Sequence, residues 1–172
     1  MDPDAVEIRT ATRDDAAALL AHLKALAGEP GINIPLAPDE ITLTVAEERD
    51  RIAGLIDDPR ALILVAARGG ELLGELTIRA ISSRRALAHV ATLGMSVRTD
   101  ARGQGVGKAL LETALAWVAE TDFIRLELQV YARNQPAISL YEKHGFVQEG
   151  RRRAFIKEGG AFLDDLVMAR IF

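Results

Sequence analysis

The stretch Leu93–Lys108, LGMSVRTDARGQGVGK, decides the fold of this chain. Its first part, Leu93–Val97, is mostly apolar and predicts a strand, which is followed by a polar turn at Arg98–Ala101. Glycine then occupies every second position from Gly103 to Gly107, and the pattern predicts a long helix from Ala109 to about Thr121. Because glycine has no Cβ atom, a ligand can approach such a loop closely. A strand, a glycine-rich loop and a helix N-terminus in this order are typical of a phosphate-binding site.

The backbone N–H groups of this loop and of the first helical turn can converge on an anion. Lys108 fits this interpretation, because a cation in the first turn opposes the helix dipole unless an anion lies between them. The spacing matches neither G-x-x-x-x-G-K-[ST] nor G-x-G-x-x-G, which argues against a nucleoside triphosphate or a dinucleotide. A flexible glycine turn before a helix is the alternative interpretation. The residues predicted to bind the anion are Arg102, Gly103, Gln104, Gly105, Val106, Gly107 and Lys108.

The composition predicts one globular domain that covers residues 1–172. Of the 172 residues, 49% are hydrophobic and 27% are charged, and no repeat or linker divides the chain. The net charge of −4 gives no reason to expect nucleic acid or an anionic membrane as a partner. No apolar run is long enough for a membrane span, and the N-terminus lacks a signal-peptide pattern. We therefore expect a cytoplasmic protein.

The scarcity of sulfur and imidazole ligands argues against a metal site. The chain has no cysteine, which excludes disulfides, thiolate nucleophiles and thiolate metal ligands. Its histidines are His22, His89 and His144, and their wide spacing forms no recognisable metal-binding pair. We therefore expect no metal.

The hydrophobic periodicity predicts an α/β fold with a mixed sheet, in the order β-α-α-β-β-β-α-β-α-β-β. The first helix begins near Thr12, a candidate N-cap, and ends at Gly28. The second spans Asp39–Asp57, and a short fourth helix opens at Asn134 with Pro136 in its first turn. A right-handed crossover through the central helix places the fourth and fifth strands side by side and parallel. The predicted strands are Val6–Arg9, Ala61–Ala67, Glu71–Ala80, Leu87–Val97, Phe123–Tyr131, Phe146–Ile156 and Phe162–Ile171.

Gly94 lies inside the fourth strand and predicts a β-bulge, since an interior glycine weakens a strand unless it serves geometry. A break at Gly94 or Met95 would splay the fourth and fifth strands apart and leave the backbone groups of Met95, Ser96 and Val97 unpaired. Buried unpaired backbone groups are costly. A ligand that carries amides, such as the pantetheine arm of CoA, is therefore expected to pair there like an extra strand, with its phosphates at the glycine loop.

The loop Gly28–Pro38 is rich in proline and glycine but carries apolar side chains at Ile32, Ile34 and Leu36. Apolar residues on a loop indicate that it covers something. Two interpretations are open: the loop is a lid or wall of a pocket, or these side chains pack under the neighbouring helix.

The segment from about Leu87 to Met168 resembles the core of the GNAT superfamily of N-acetyltransferases, which hold acetyl-CoA. The spacing Arg102-x-x-Gly105-x-Gly107 resembles their pyrophosphate loop, and NQPAISLYEKHGF at Asn134–Phe146 resembles their N-x-x-A-x-x-L-Y-x-x-x-G-F motif. The two motifs together are highly specific, whereas the first sixty residues match only in element order. The resemblance implies a GNAT-like fold and acetyl-CoA as the co-substrate.

The resemblance also implies direct acetyl transfer in a ternary complex, in which a neutral amine attacks the thioester and CoA leaves as a thiolate. Tyr141 corresponds to the residue proposed as general acid, and a phenol with a pKa of about 10 can protonate a developing thiolate. From spacing alone, its position on an apolar helix face favours a core aromatic, and it is the motif that favours the general acid. The backbone N–H of Met95 would polarise the thioester carbonyl. The other implied CoA contacts are Asn134, which is also a candidate helix cap, Ala137, Tyr141 and Lys143.

The sequence leaves open which residue acts as the general base. Some relatives carry a glutamate on the fourth strand where this chain has Thr92, and threonine cannot accept a proton at neutral pH. The candidates are Glu75, His89, Glu127 and a base acting through water. His89 has a suitable ordinary pKa but lies at the start of its strand.

Arg151, Arg152 and Arg153 do not predict an anion-binding patch, because successive residues of a strand face opposite sides of the sheet. We interpret them as a solvated run beside a turn, with room for one arginine near the substrate. The predicted function is acetylation of a primary amine on a small molecule or amino acid. Acetylation of protein N-termini and a catalytically silent CoA-binding module are the alternatives, and a homodimer is expected from the resemblance.

Overall fold

The computed structural model describes residues 5–29, 31 and 33–172, and they form a mixed sheet flanked by helices in the predicted order. This arrangement confirms the predicted α/β fold. The strands in the described residues are β1 (Glu7–Thr10), β2 (Ala61–Arg68), β3 (Glu71–Ala80), β4 (Val90–Val97), β5 (Arg125–Tyr131), β6 (Val147–Glu158) and β7 (Ala161–Ile171). The helices are α1 (Ala16–Ala27), α2 (Val45–Asp57), α3 (Val106–Ala119) and α4 (Gln135–Lys143).

The sheet has the strand order β1-β2-β3-β4-β5-β7-β6. Its neighbours pair antiparallel except β4 and β5, which run parallel and are joined through α3. The predicted parallel crossover is therefore confirmed. It directs the C-terminal ends of β4 and β5 toward the same edge of the sheet, where the loop before α3 also lies.

Each face of the sheet buries its own apolar core. The larger core packs α3 and α4 against the strands, with Leu76, Leu110, Leu126 and Met168 fully buried. The smaller core lies under α1 and α2, around Ile52 and strand β2. Since alternate residues of a strand face opposite sides, the two cores identify the face to which the side chains of β4, of β5 and of β3 from Glu75 onward point.

Local chemistry explains where the helix boundaries differ from the prediction. Helix α2 begins at Val45 rather than Asp39, because Thr44 forms a capping box. Its hydroxyl accepts the N–H of Glu47 at 3.2 Å, and the Glu47 carboxylate accepts the N–H of Thr44 at 2.8 Å. Pro38–Glu40 forms only a short 3₁₀ turn. None of the helices in the described part of the chain is long and apolar enough to cross a membrane.

Helix α3 begins three residues earlier than predicted, at Val106 rather than Ala109. Gly105 directly before it adopts φ +86°, a left-handed conformation that ends the loop and starts the helix in one step. Gly107 and Lys108 therefore belong to the first helical turn. Strand β4 likewise starts at Val90, since Arg85–Leu87 forms a 3₁₀ turn.

Candidate functional site

A gap opens between β4 and β5 toward their C-terminal ends. The two strands pair only from Val90↔Arg125 to Thr92↔Glu127. Beyond that point β4 stays paired with β3 as far as Val97, and β5 stays paired with β7 as far as Tyr131. The predicted splay is thus present, with one unpaired edge of each strand facing the other.

The predicted bulge at Gly94 is wrong. The register of β4 against β3 runs without a shift from Ala80↔Ala91 to Gly74↔Val97, and it includes Thr77↔Gly94. The splay arises because each strand follows a different outer neighbour, not because the ladder of β4 is interrupted. Gly94 is exposed, and a Cβ atom built on it would meet no atom of the described residues within 4 Å. The surface of the sheet at Gly94, beside the gap, is therefore not covered by side chains of the described residues.

The register fixes which backbone groups of β4 face the gap. Val90 C=O accepts the N–H of Ile81 at 3.1 Å, and Leu73 C=O accepts the N–H of Arg98 at 2.8 Å. Bonding and non-bonding pairs alternate between these two bonds in an antiparallel ladder. Met95 and Val97 consequently point their N–H groups away from β3 and into the gap. This geometry supports the predicted role of the Met95 N–H as a donor to a ligand carbonyl.

The loop between β4 and α3 presents free backbone donors at the end of the gap. Gly103 and Gly105 have φ of +72° and +86°, and Gly105 is the N-cap of α3 without a side-chain cap. The first intrahelical bond runs from Ala109 N–H to Gly105 C=O at 2.9 Å. The N–H groups of Val106, Gly107 and Lys108 therefore lack intrahelical acceptors and lie at the positive end of the helix dipole. This is the arrangement expected of an anion site.

Three arginines and a lysine surround this loop. Arg102 donates its Nε–H to Val97 C=O at 3.1 Å and has Glu29 at 3.6 Å. Gln104 donates to Asp100 C=O at 2.6 Å and accepts from Arg68 at 3.2 Å. These contacts tie the loop to the end of β4 and to Arg68 at the end of β2. The remaining cations are Arg98, paired with Asp100 and Glu71, and Lys108, whose Nζ lies 3.8 Å from Glu112.

Gly107 is the point where the gap, the loop and α4 meet. A Cβ atom at Gly107 would lie 3.6 Å from Leu140 on α4, 3.6 Å from Val97 and 3.7 Å from the methyl group of Met95. The motif segment around α4 is therefore brought against the C-terminal end of β4. The predicted loop and motif, about thirty residues apart in the chain, are therefore neighbours in the structure.

Tyr141 on α4 is a core aromatic in the structure, and its role as general acid stays a prediction. It is buried in the larger core and packs on Phe146 with 5.6 Å between ring centroids. Burial raises the pKa of the Tyr141 phenol to about 12, because the charged phenolate loses its solvation. The hydroxyl is therefore protonated throughout the neutral range.

The other predicted residues of this motif have plainer placements. Asn134 caps α4, since its Oδ1 accepts the N–H of Ala137 at 3.4 Å. The predicted helix cap is thus confirmed. Ala137 is half-buried in the first turn, and Lys143 is exposed in the last turn.

The structure separates the candidate general bases. His89 is exposed and precedes β4, six residues from Met95, which corresponds to roughly 20 Å along an extended strand. Glu75 faces α2, where burial raises the pKa of its carboxyl against the opposing effect of Arg51, with Glu48 raising it further. Glu127 alone among the three lies at the closed end of the gap, beside Thr92.

His22 is a buried residue that the sequence did not single out. Its Nε2 lies 2.9 Å from the hydroxyl of Ser96, which joins α1 to β4 across 74 positions of sequence. Burial, with smaller effects of the positive Arg98 and Arg102, lowers the pKa of His22 to about 4. Ser96 thus turns its side chain to α1 and its backbone to β3, so its orientation does not support the predicted contact with a ligand in the gap.

We expect the free energy of unfolding to depend on pH through the protonation of the buried His22. His22 has a pKa of about 4 in the folded chain against 6.5 in its ordinary state. As the pH falls, the unfolded chain protonates His22 near pH 6.5 and the folded chain only near pH 4. The free energy of unfolding therefore decreases as the pH drops from about 6.5 to about 4. The free energy of unfolding should decrease by about 3 kcal/mol more for the native chain than for His22→Gln between about pH 7 and about pH 4. Urea unfolding of both proteins measures this difference, and parallel pH curves would contradict it.

The Gly28–Pro38 loop is fixed at both ends of the site. Glu29 accepts a hydrogen bond from Thr99 beside the glycine loop, and Asn33 accepts one from Arg133 Nε at 2.9 Å. Arg133 also pairs with Glu158 at 2.9 Å, at the end of β6. These contacts favour the predicted wall of a pocket. Ile34 and Leu36 are half-buried, and Ile32 lies outside the described residues.

The three arginines of β6 form no common patch, as predicted. Arg151 pairs with Asp164 at 2.7 Å, and Arg152 pairs with the buried Asp165. Arg152 also donates to Gln129 at 2.6 Å, which places it near the open face of β5. In the part of the chain that the structure describes, no cluster of acidic or histidine side chains suits a metal ion.

The comparisons with known proteins agree with this geometry. Residues 32–146 match the family model described as "Acetyltransferase (GNAT) family". The chain is 34% identical over 121 residues to the L-amino acid N-acetyltransferase AaaT of Escherichia coli strain K12, covering 68% of this chain and 72% of that protein. It is 31% identical over 114 residues to a putative ribosomal protein bS18 alanine N-acetyltransferase of Bacillus subtilis strain 168, covering 66% and 71%. A crystal structure of a GNAT-family acetyltransferase from Streptococcus pneumoniae superimposes with a TM-score of 0.91 at 32% identity, covering 98% of this chain and all of that one.

Proposed function

This chain belongs to the GNAT family and is an N-acetyltransferase, and from this premise we propose that it uses acetyl-CoA to acetylate the primary amine of an amino acid or a similar small molecule. The observation that carries the proposal is the gap between β4 and β5, which ends at the free N–H groups of the first turn of α3. CoA carries an amide-bearing arm and a pyrophosphate in one molecule. The edge of β4 would hold the arm, and the first turn of α3 at the end of the gap would hold the pyrophosphate.

The residues present fit such a co-substrate. Met95 and Val97 offer backbone N–H groups to the amides of an extended arm, as a neighbouring strand would. Gly103 and Gly105 leave open space where a Cβ atom would otherwise stand, so phosphate oxygens can reach the backbone. Acetyl-CoA would supply an acetyl group activated as a thioester.

The chain itself supplies a hydrogen-bond donor and a proton. The Met95 N–H is oriented to stabilise negative charge on the carbonyl oxygen as the amine attacks. Tyr141 holds a proton at its hydroxyl for the departing sulfur, and its raised pKa keeps that proton in place at neutral pH. With no cysteine in the chain, no thiolate is available to take up the acetyl group, which favours direct transfer to the amine.

Two similar proteins support the proposed class of acceptor. The relative named as an L-amino acid N-acetyltransferase favours a free amino acid. The second relative, named for a ribosomal protein alanine, favours a peptide N-terminus as the other candidate. Both acceptors present a primary amine on an α-carbon, which bears a carboxylate in the amino acid and a peptide carbonyl in the protein N-terminus.

A thiol-release assay tests the proposed function. Purified protein and acetyl-CoA are incubated with single amino acids, polyamines, aminoglycosides and peptides that begin with Ser, Ala or Met, and products are identified by mass. We expect thiol release with amino acids, accompanied by the N-acetylated product. Release with peptides alone would favour the second candidate. Absence of both thiol release and acetyl-CoA binding would overturn the proposal.

A further inference from the structure

We infer that a pocket on the open face of the sheet is the acceptor subsite and that it selects a zwitterion, with Glu127 receiving the ammonium group and Arg79 the carboxylate. This inference rests on the proposed function and names the residues that would choose its substrate. The pocket has a volume of about 460 Å³ and is lined by Arg79, Ala80, Ile81, Thr92, Glu127 and Gln129. These side chains come from β3, β4 and β5 and from the residue after β3.

The pocket lies on the face of the sheet opposite α3 and α4. Leu126 and Leu128 of β5 point into the larger core, so Glu127 and Gln129 point to the other face. Thr92 and Arg79 share that face, because Ala91 and Ile78 point into the larger core. An acceptor here approaches the gap from the side that is not occupied by Tyr141. The acceptor and acetyl-CoA therefore do not compete for one channel, because the acceptor reaches the gap from the face opposite α3 and α4.

Glu127 carries negative charge that its neighbours do not neutralise. Arg125 makes two short bonds with Glu149, at 2.6 and 2.8 Å, and reaches Glu127 with two longer ones of 3.0 Å. Both of the longer bonds end on Oε2 of Glu127. One arginine thus serves two carboxylates, which leaves one excess negative charge. In the described residues no donor contacts Oε1 of Glu127, which is therefore available to an ammonium group.

Arg79 offers the complementary charge. Within the described residues, no hydrogen bond or ion pair engages its guanidinium group, although the side chain is exposed on the face shared with Glu127. Gln129 adds a donor to the pocket lining. Its Oε1 accepts from Arg152 at 2.6 Å, so its NH₂ group points away from Arg152 and is available to a ligand. A cation and an amide donor on one side of a pocket and a carboxylate on the other match a carboxylate and an ammonium.

The spacing also suits a small zwitterion. Arg79 pairs with Thr92 across β3 and β4, and Thr92 pairs with Glu127 across β4 and β5. Two strand spacings place the Cα atoms of Arg79 and Glu127 roughly 10 Å apart. Glu127 is the last β5 residue paired with β4, so an ammonium held there lies at the closed end of the gap. From Thr92 to Met95 the strand advances roughly 10 Å, a distance shared between the Glu127 side chain and the substrate.

The same placement gives the amine proton a destination. The ammonium loses one proton to the Glu127 carboxylate, directly or through a water molecule, and the neutral nitrogen attacks the thioester carbon. The C–N bond forms and the C–S bond breaks as the sulfur takes the proton of Tyr141. The nitrogen then loses its second proton, which returns through water to the Tyr141 phenolate, and Glu127 releases the first proton to solvent. Glu127 thus occupies the place beside Thr92 that a glutamate on the fourth strand would fill.

The test compares an amino acid with its carboxamide, which keeps the amine but lacks the negative charge. Equilibrium binding of L-alanine and L-alaninamide is measured by calorimetry in the presence of CoA, and kcat/KM is measured with acetyl-CoA. The proteins are the native chain, Arg79→Gln, and Arg13→Gln as a matched control on the exposed turn before α1. Removing one charge-assisted contact should weaken binding of the acid about tenfold to a hundredfold and leave the carboxamide nearly unchanged. Arg13→Gln should change neither the binding nor the kcat/KM of either ligand.

A second pair of variants tests Glu127. Glu127→Gln should lower kcat/KM for both ligands, and adding Thr92→Glu to it should restore at least a tenth of the native value, since the two side chains are neighbours across the ladder. Equal binding of acid and carboxamide by the native chain would overturn the inference, as would an equal loss of both in Arg79→Gln. Acetylation of peptides or polyamines without binding of any amino acid would overturn it while leaving the acetyltransferase activity intact. Failure of the proposed function would instead appear as absence of acetyl-CoA binding, and the amino-acid binding measurement would still decide the subsite.

Discussion

Phenylalanine at position 141 is expected to lower kcat by about a hundredfold or more while leaving the Kd for acetyl-CoA nearly unchanged. The Tyr141→Phe substitution removes the proton that the hydroxyl holds for the departing sulfur. It keeps the ring that packs on Phe146 in the larger core. Steady-state kinetics and calorimetry on the same preparation separate the two effects.

The pH dependence of the native enzyme provides an independent check on this role. Burial raises the pKa of Tyr141 to about 12. Deprotonation of this acid should therefore cause no loss of kcat up to about pH 10. A kcat for Tyr141→Phe equal to that of the native chain would contradict the role, and an unfolding midpoint in urea that shifts strongly would show that the substitution acts on the core instead.

The second large effect is expected at the loop before α3. Gly105→Val should weaken acetyl-CoA binding by about a hundredfold or more, because a branched side chain would stand where phosphate oxygens approach the backbone donors. The substitution is also strained, since Gly105 has φ +86°. Strain of this kind costs roughly 1–3 kcal/mol of stability. Calorimetry with acetyl-CoA measures the loss of affinity, and urea unfolding measures the strain.

Gly70→Val is the matched control for that experiment. Gly70 has the same φ of +86° and, like Gly105, no atom within 4 Å of a built Cβ, but it lies in the turn between β2 and β3. It should lose a similar amount of stability and keep its affinity for acetyl-CoA. Similar affinities for Gly105→Val and Gly70→Val would contradict the assignment of the loop to phosphate binding.

The sequence predicted the parts of this site that depend on local pattern. Alternating glycines before an apolar helix, and a proline-opened helix that stops before Gly145, are short-range signals, and both helices are present in the structure. The start of α3 was missed by three residues because the left-handed conformation of Gly105 permits the helix to begin at once. A pattern shows that glycine is present, but not which φ it adopts.

Features that depend on neighbouring strands were harder to predict. The splay was predicted for a local reason, a bulge at Gly94, but it arises from the different outer partners of β4 and β5. The contact between His22 and Ser96 joins residues 74 positions apart, and His22 occupies an ordinary position on a helix. The choice among Glu75, His89 and Glu127 likewise required the register, which places only Glu127 at the closed end of the gap.

The central claim is that one molecule of acetyl-CoA lies along the inner edge of β4 with its phosphates at the first turn of α3. Amide resonances of isotope-labelled protein, followed by NMR during titration with acetyl-CoA, test it most directly. We expect the largest shifts at Met95, Val97 and the N–H groups of residues 103–108, with smaller shifts in α4 and none at the β6 edge of the sheet. Shifts confined to other parts of the chain, with Met95 and Val97 unmoved at saturation, would contradict it.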